Sequence, residues 1–316
     1  MLTDLEKSII KTFAYFDIFN YPLTLSEVWK YLYCPQQTYT LLEVKQTLEN
    51  SEFLQSRLVR IEGFYAIKGR EHTYLLRKQN NNWADRKLAK AVKLARLYRY
   101  APFIKMIAVC NSLAYSNAKH DSDIDLFVIT THGKIWVARF WAVFWVRLFG
   151  LRPDDNKRKD TFCFSFFVDE DHLNINNIRL GQHDIYLTYW LQQMLPIYDP
   201  EGFYQKLLTA NHWYQKYVPN SYANQFVNEV KATRFSKIFS SILAFIFDPP
   251  ILGKFLRTLY RRFQASIIDR NMQSMVNIDT RIIVNDFMLK FHANDRRDFF
   301  YNRWRENIRD LLKNYE

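Results

Sequence analysis

Apolar residues recur at helical spacing from Leu5 to Phe16, and two further helix starts are marked by "TLSE" at Thr24 and "TLLE" at Thr40. In each, a threonine side chain can accept from a backbone N–H in the first turn while the glutamate reaches back to the cap. The second start predicts a helix over residues 40–53. The period then changes. "FLQSRLVRIEGFYAIKG" alternates around Glu62 and Gly63, which predicts a β-hairpin. After the polar "QNNNW", residues 84–100 put Leu88, Val92, Ala95 and Tyr98 on one helix face and Arg86, Lys90, Lys93 and Arg96 on the other, with Leu97 falling among the bases. That pattern predicts an amphipathic helix, ended by Pro102.

Two short apolar runs follow, Phe103 to Cys110 and Asp123 to Thr130, each suited to a buried strand. A strand period of two puts Asp123 and Asp125 on one face, with Ile124 and Leu126 on the other. Two carboxylates converging on one face repel each other unless something positive lies between them. Mg²⁺ suits that role, because it binds through one or two carboxylates and fills its other positions with water and substrate phosphates. The turn between the strands, "NSLAYSN", is small and polar and offers the Ser112 hydroxyl as a phosphate donor. An EF-hand is excluded, since it needs Gly and Glu where the chain has Leu126 and His132.

Farther on, residues 184–195 and 201–217 carry aromatics at helical intervals, which predicts helices packed on the sheet. Lys237 to Gln264 reads as a helix pair broken at Pro249 and Pro250, one half strongly apolar and the other basic. The pair suits a hairpin capping the core, and secondarily a peripheral contact of residues 237–264 with an anionic membrane.

The chain has 316 residues, 48% hydrophobic and 17% aromatic, with seven glycines, enough for a full core and few flexible loops. Three cysteines far apart imply no disulfide framework, and seven histidines show no paired metal spacing, so His120 and His172 are read as surface or packing residues. "MLTDLEKS" is acidic where a secretory signal would be basic, and "IWVARFWAVFWVRLFG" is too short and too charged to span a bilayer. A soluble cytoplasmic protein, peripherally membrane-associated at most, is expected. The net charge of +12 is concentrated in residues 71–100, at +6, and 231–316, at +7. These are the candidate polyanion-facing segments.

The order helix, helix, helix, hairpin in residues 1–70 resembles a winged helix. A DNA-reading module would carry bases in its third helix, yet this one holds Glu43, Glu49 and Glu52 against Lys45. Contact with its own chain or a protein partner is therefore favoured, and sequence-specific DNA binding is the secondary alternative. The order strand, serine turn, "DSDIDL", strand resembles the DNA polymerase β-type nucleotidyltransferase superfamily. The resemblance implies that Asp123 and Asp125 hold one or two Mg²⁺ ions and that Ser112 binds the phosphates of a nucleoside triphosphate. The family's glycine is Asn111 here, and asparagine tolerates a left-handed backbone better than most residues. Family members usually add a third carboxylate from a neighbouring strand. "DTFCFSFFVDED" has none in its apolar middle, so Asp160, which precedes that strand, is the candidate. Ser122, Lys157 and Lys159 are further candidate nucleotide contacts.

The expected fold class is α+β with an α/β core. Residues 1–70 form a winged-helix-like domain and 71–100 a basic connector helix. Residues 101–230 form a nucleotidyltransferase core with a small mixed sheet, and 231–316 a basic, mostly helical region. The expected activity is Mg²⁺-dependent transfer of a nucleotide monophosphate to a hydroxyl of an unidentified acceptor. A degenerate nucleotide-binding regulator is the alternative.

Overall fold

The computed structural model describes residues 2–152, 158–249, 251–266 and 270–313, so Lys157 lies outside the described residues. The chain is α+β. It opens with α1 (Asp4–Phe16), β1 (Leu23–Thr24), α2 (Leu25–Lys30), α3 (Leu41–Asn50) and α4 (Glu52–Arg57), then β2 (Leu58–Ile61) and β3 (Phe64–Ile67). The threonine–glutamate capping boxes at Thr24 and Thr40 both form. Glu62 and Gly63 each take a positive φ, which the tight turn between β2 and β3 requires. The helix expected over 40–53 is instead two helices. Ser51 leaves the helical conformation and its Oγ accepts from Leu54 N–H at 3.1 Å, capping α4.

The next helix, α5 (Thr73–Tyr98), starts eleven residues before the amphipathic pattern does. Its first turns are held by polar contacts rather than an apolar stripe. Arg77 forks onto Glu27 at 2.7 and 2.8 Å, and Asn80 donates to Asn117 at 2.8 Å.

The core continues with β4 (Ile104–Val109), α6 (Asn111–Ala114), β5 (Ile124–Thr130), α7 (Ile135–Leu148), β6 (Phe162–Asp169), α8 (Ile185–Gln193), β7 (Leu195–Tyr198) and α9 (Phe203–Ala210). After it come α10 (Arg234–Phe247), α11 (Gly253–Ser266), α12 (Arg270–Gln273), β8 (Ile282–Val284), β9 (Met288–Phe291) and α13 (Arg297–Leu312). The large sheet has the order β7-β4-β5-β6-β9-β8; β5 and β6 run parallel and every other pair is antiparallel. Residues 231–316 are mostly helical, and β8 and β9 among them extend the core sheet beyond β6.

One sheet face presents Met106, Phe127, Ile129 and Phe166 to a cluster that includes Phe13 and Phe16 of α1, Tyr189 of α8 and Trp304 of α13. The other presents Ile107, Leu126 and Val128 to α5 and α7. The first seventy residues thus share a core with the rest of the chain. Trp304 Nε1 donates to Lys11 O and Asn307 Nδ2 to Ala14 O, both at 2.9 Å, and Tyr189 OH donates to Tyr31 O at 2.7 Å. Asp123 and Asp125 alternate with Ile124 and Leu126, so their side chains enter the space between the sheet and α8 and α13.

Candidate functional site

The start of β5 is positioned from three sides. Ile124 N–H donates to Thr161 O, and Cys110 N–H to Asp125 O. The loop before β5 is held by Lys87 of α5, whose side chain is only 1% exposed. Its ammonium donates to His120 O at 3.2 Å, Ser122 O at 2.7 Å and Asp160 Oδ1 at 2.9 Å. A lysine this deep persists because all three of its donors are used.

Parallel pairing of β5 with β6 sets Asp125 opposite Cys163. Ligand atoms of Asp123, Asp125 and Cys163 all lie within 4.8 Å of one another. Burial, then the Asp123 charge, lifts Asp125 to about 6, against hydrogen bonds from Asn111 and Cys163. Burial also lifts Asp123, against its own backbone N–H and the charges of Arg158 and Lys87. Burial, then the two carboxylates, pushes the Cys163 thiol up to about 12, so it stays protonated at neutral pH. This is an electrostatically strained group. Two carboxylates fit Mg²⁺, which binds through one or two carboxylates; a neutral thiol is too soft to be its ligand.

Asn111 has φ +57°, a left-handed conformation that asparagine tolerates better than most residues. Its Nδ2 donates to Asp125 Oδ2 at 2.8 Å, and Tyr186 OH donates to its Oδ1 at 3.1 Å. The Asn111 side chain therefore orients one of the acids.

The acids open into a cavity of about 510 Å³ that Arg158, Lys290, His292, Arg296 and Phe300 also line. Burial, then the Lys290 charge, pushes His292 down to about 3, leaving it neutral with Nε2 3.0 Å from Ser165 Oγ. Burial, then Arg297, lowers Lys290 to about 8. Ser112 does not line this cavity. It lines two others, of about 220 and 460 Å³, that share Phe300 with the first as a lining residue. The larger carries Lys119, Ser122, Arg70, Arg296 and Arg303. Among the described residues no carboxylate pairs with Lys119, Arg158 or Arg296. The arrangement thus puts acids in one cavity and uncommitted bases in it and next to it.

No family model, curated protein or solved structure matches the chain. The chemistry of the cleft rests on its own geometry.

Asp160 does not join the acid group. Lys87 and Lys90 hold its carboxylate at 2.9 and 2.6 Å, and these bonds outweigh burial to keep it below its ordinary value. Its role is to anchor α5 to the loop before β6. The place opposite Asp125 belongs to Cys163 instead. Lys159 contacts His120 Nε2 at 2.7 Å rather than lining the cleft. The histidines are also less isolated than their spacing implies, because the rings of His132 and His172 stand 6.4 Å apart beside Asp169. A buried arginine was not foreseen either. Arg297 bonds Asp184 at 2.8 Å and Asp295 at 2.7 Å, fixing the start of α13 over the cavity.

Proposed function

We propose that the cleft binds a nucleoside triphosphate together with Mg²⁺ and that the chain is a nucleotidyltransferase. The observation that supports this most is the convergence of Asp123 and Asp125 on a cavity whose walls, with those of the adjoining one, carry Arg158, Arg296 and Lys119, none with a carboxylate partner among the described residues. Asp123 and Asp125 would hold the ion, and Asn111 keeps Asp125 turned toward it. When bound, Mg²⁺ supplies charge neutralisation of the phosphates and polarisation of the α-phosphorus. Arg158, Arg296 and Lys119 offset phosphate charge, and the Ser112 hydroxyl donates to a phosphate oxygen. An acceptor hydroxyl oxygen forms a bond to the α-phosphorus as the bond to the β-phosphate oxygen breaks. Pyrophosphate leaves, and the hydroxyl proton passes to solvent. Such chemistry needs positioning and electrostatics more than covalent participation by the protein.

Cys163 favours a second reading. A protonated thiol opposite Asp125 can be neither a Mg²⁺ ligand nor a general base, which suits a nucleotide-binding regulator acting through the amino-terminal helices and hairpin. The exposed side of α3 carries Leu42, Glu43 and Glu49 with Lys45, a poor surface for DNA phosphates and a better one for protein. Pyrophosphate release from each ribonucleoside triphosphate, with candidate hydroxyl acceptors, separates the two readings. Mg²⁺-dependent release lost in Asp123→Asn supports the transferase. Release unchanged in that variant contradicts the proposed site, and binding without release supports the regulator.

A further inference from the structure

We propose that α10, α11 and the outer side of α7 form one docking surface for an anionic lipid bilayer. In α10, Phe235, Ile238, Phe239, Ile242, Phe245 and Ile246 are all exposed. At 100° per residue they fall within a ~120° arc, a single face of the helix. In and just before α11, Leu252, Phe255, Leu259 and Phe263 are each more than half exposed and fall within a narrower arc. The end of α7 adds Phe144, Trp145, Leu148 and Phe149. Ring contacts join the three elements. Trp141 of α7 stacks on Phe247 of α10 at 4.0 Å, and Phe140 of α7 meets Phe263 of α11 at 5.9 Å. An uncovered apolar surface of this extent marks an interaction site rather than ordinary solvent-facing scatter.

Charge selects the partner. Residues 234–266 contain six bases and one acid, Asp248, which is buried and committed to Lys134 and Arg257. Arg234, Lys237, Lys254 and Arg262 have no carboxylate partner among the described residues. Arg234 and Arg262 each fall within ~20° of the edge of their helix's apolar arc, and an apolar stripe edged by bases matches the boundary between acyl chains and phosphate headgroups. A helix of fourteen residues spans roughly 21 Å, short of the ~30 Å hydrocarbon core. No described helix is long and apolar enough to cross a membrane. The surface would therefore lie on a bilayer.

The test is flotation of the full chain with vesicles of neutral phosphatidylcholine, or of phosphatidylcholine mixed with phosphatidylglycerol. It is repeated with Ile242→Glu/Phe245→Glu, both exposed positions whose replacement leaves the core intact. The wild type should float with the anionic vesicles, less so at high salt, and the double variant should partition at least ~10-fold more weakly. Equal partition of both proteins into anionic vesicles would overturn the proposal. So would failure of the wild type to bind them, and so would a lipid-free dimer that the double substitution splits, since the face would then belong to a second copy.

A separate observation points to a transition-metal site at the opposite end of β5 from Asp123. His132 Nδ1 and His172 Nδ1 each lie 3.3 Å from the same oxygen of Asp169, Oδ1. Roughly 3.3 Å is the edge of a tetrahedron whose corners are ~2.0 Å from a central Zn²⁺. Asp169 is buried and oriented, its Oδ2 accepting Gly133 N–H at 2.7 Å and its Oδ1 accepting Asp171 N–H at 2.9 Å. His132 Nδ1 also lies 3.0 Å from Asp171 Oδ2, which brings a second carboxylate to the edge of the cluster. The geometry points to Zn²⁺ or a similar ion on two imidazoles and a carboxylate, clasping the ends of the parallel strands β5 and β6. Zinc content after equilibrium dialysis tests it. Wild type and Asp123→Asn should each retain one ion per chain, and His132→Gln and His172→Gln should bind at least ~10-fold more weakly. Zinc held equally by the histidine variants, or by none of the proteins, would reduce the cluster to a hydrogen-bonded cap.

Discussion

Asp125→Asn should stabilise the metal-free protein while abolishing ligand binding. The carboxyl of Asp125 is lifted from 3.8 to about 6 by burial and by Asp123. Holding it ionised at pH 7 therefore costs about 3 kcal/mol, at about 1.4 kcal/mol per pH unit. Asparagine removes that charge and can still accept the Asn111 amide, so the variant should melt a few degrees higher. The sign fixes the pH dependence. A raised folded-state pKa means that the folded wild type binds the proton more tightly than the unfolded chain does. The wild type thus gains stability as pH falls through about 6 toward 3.8, and the variant's advantage is full above 6 and gone below about 4. Thermal melts of both proteins between pH 4 and 8, with and without Mg²⁺, make the assay. Mg²⁺ should raise the melting temperature of the wild type alone. A variant that melts lower than wild type at pH 7, or that Mg²⁺ stabilises equally, would refute the picture of a strained pair built for a cation.

Three further outcomes follow from the same geometry. Lys87→Met leaves Asp160 and two loop carbonyls without their buried donor, so chemical denaturation should show a loss of about 3 kcal/mol and titration a weaker Mg²⁺–nucleotide complex; wild-type stability would contradict the anchoring role. Arg297→Met strands Asp184, and a loss of about 3 to 5 kcal/mol is expected, with proteolysis near α13 becoming faster; unchanged protease resistance would count against it. Cys163→Asp adds a third carboxylate to the acid pair, which should lower the metal-free melting temperature and let Mg²⁺ restore it; a melt indifferent to Mg²⁺ would show that position 163 does not face the ion.

The strand pair and its acids were legible because each signal is local. A period of two places Asp123 beside Asp125 in space, and the small turn at Asn111 carries its own backbone preference. The capping boxes at Thr24 and Thr40 and the turn at Glu62 and Gly63 were readable for the same reason. What stayed hidden depends on which distant elements meet. Cys163 reaches the acids only through the register of a parallel pair, and nothing in an apolar run announces register. Asp160 begins its strand much as Asp123 does, but two lysines seventy or more residues away claim it. The short strands β8 and β9 lie among polar residues and gain their stability by adding to a preformed sheet edge. His132 and His172 are forty residues apart in sequence and meet because each follows one of two adjacent strands.

The central claim is that Asp123 and Asp125 hold a cation against a nucleoside triphosphate. Calorimetric titration of the full chain with the four ribonucleoside triphosphates, with and without Mg²⁺, tests it most directly when run beside Asp123→Asn. Heat of binding that requires Mg²⁺ and disappears in the variant is the predicted result. Binding that persists without Mg²⁺ or in Asp123→Asn, or no binding of any of the four, would contradict it.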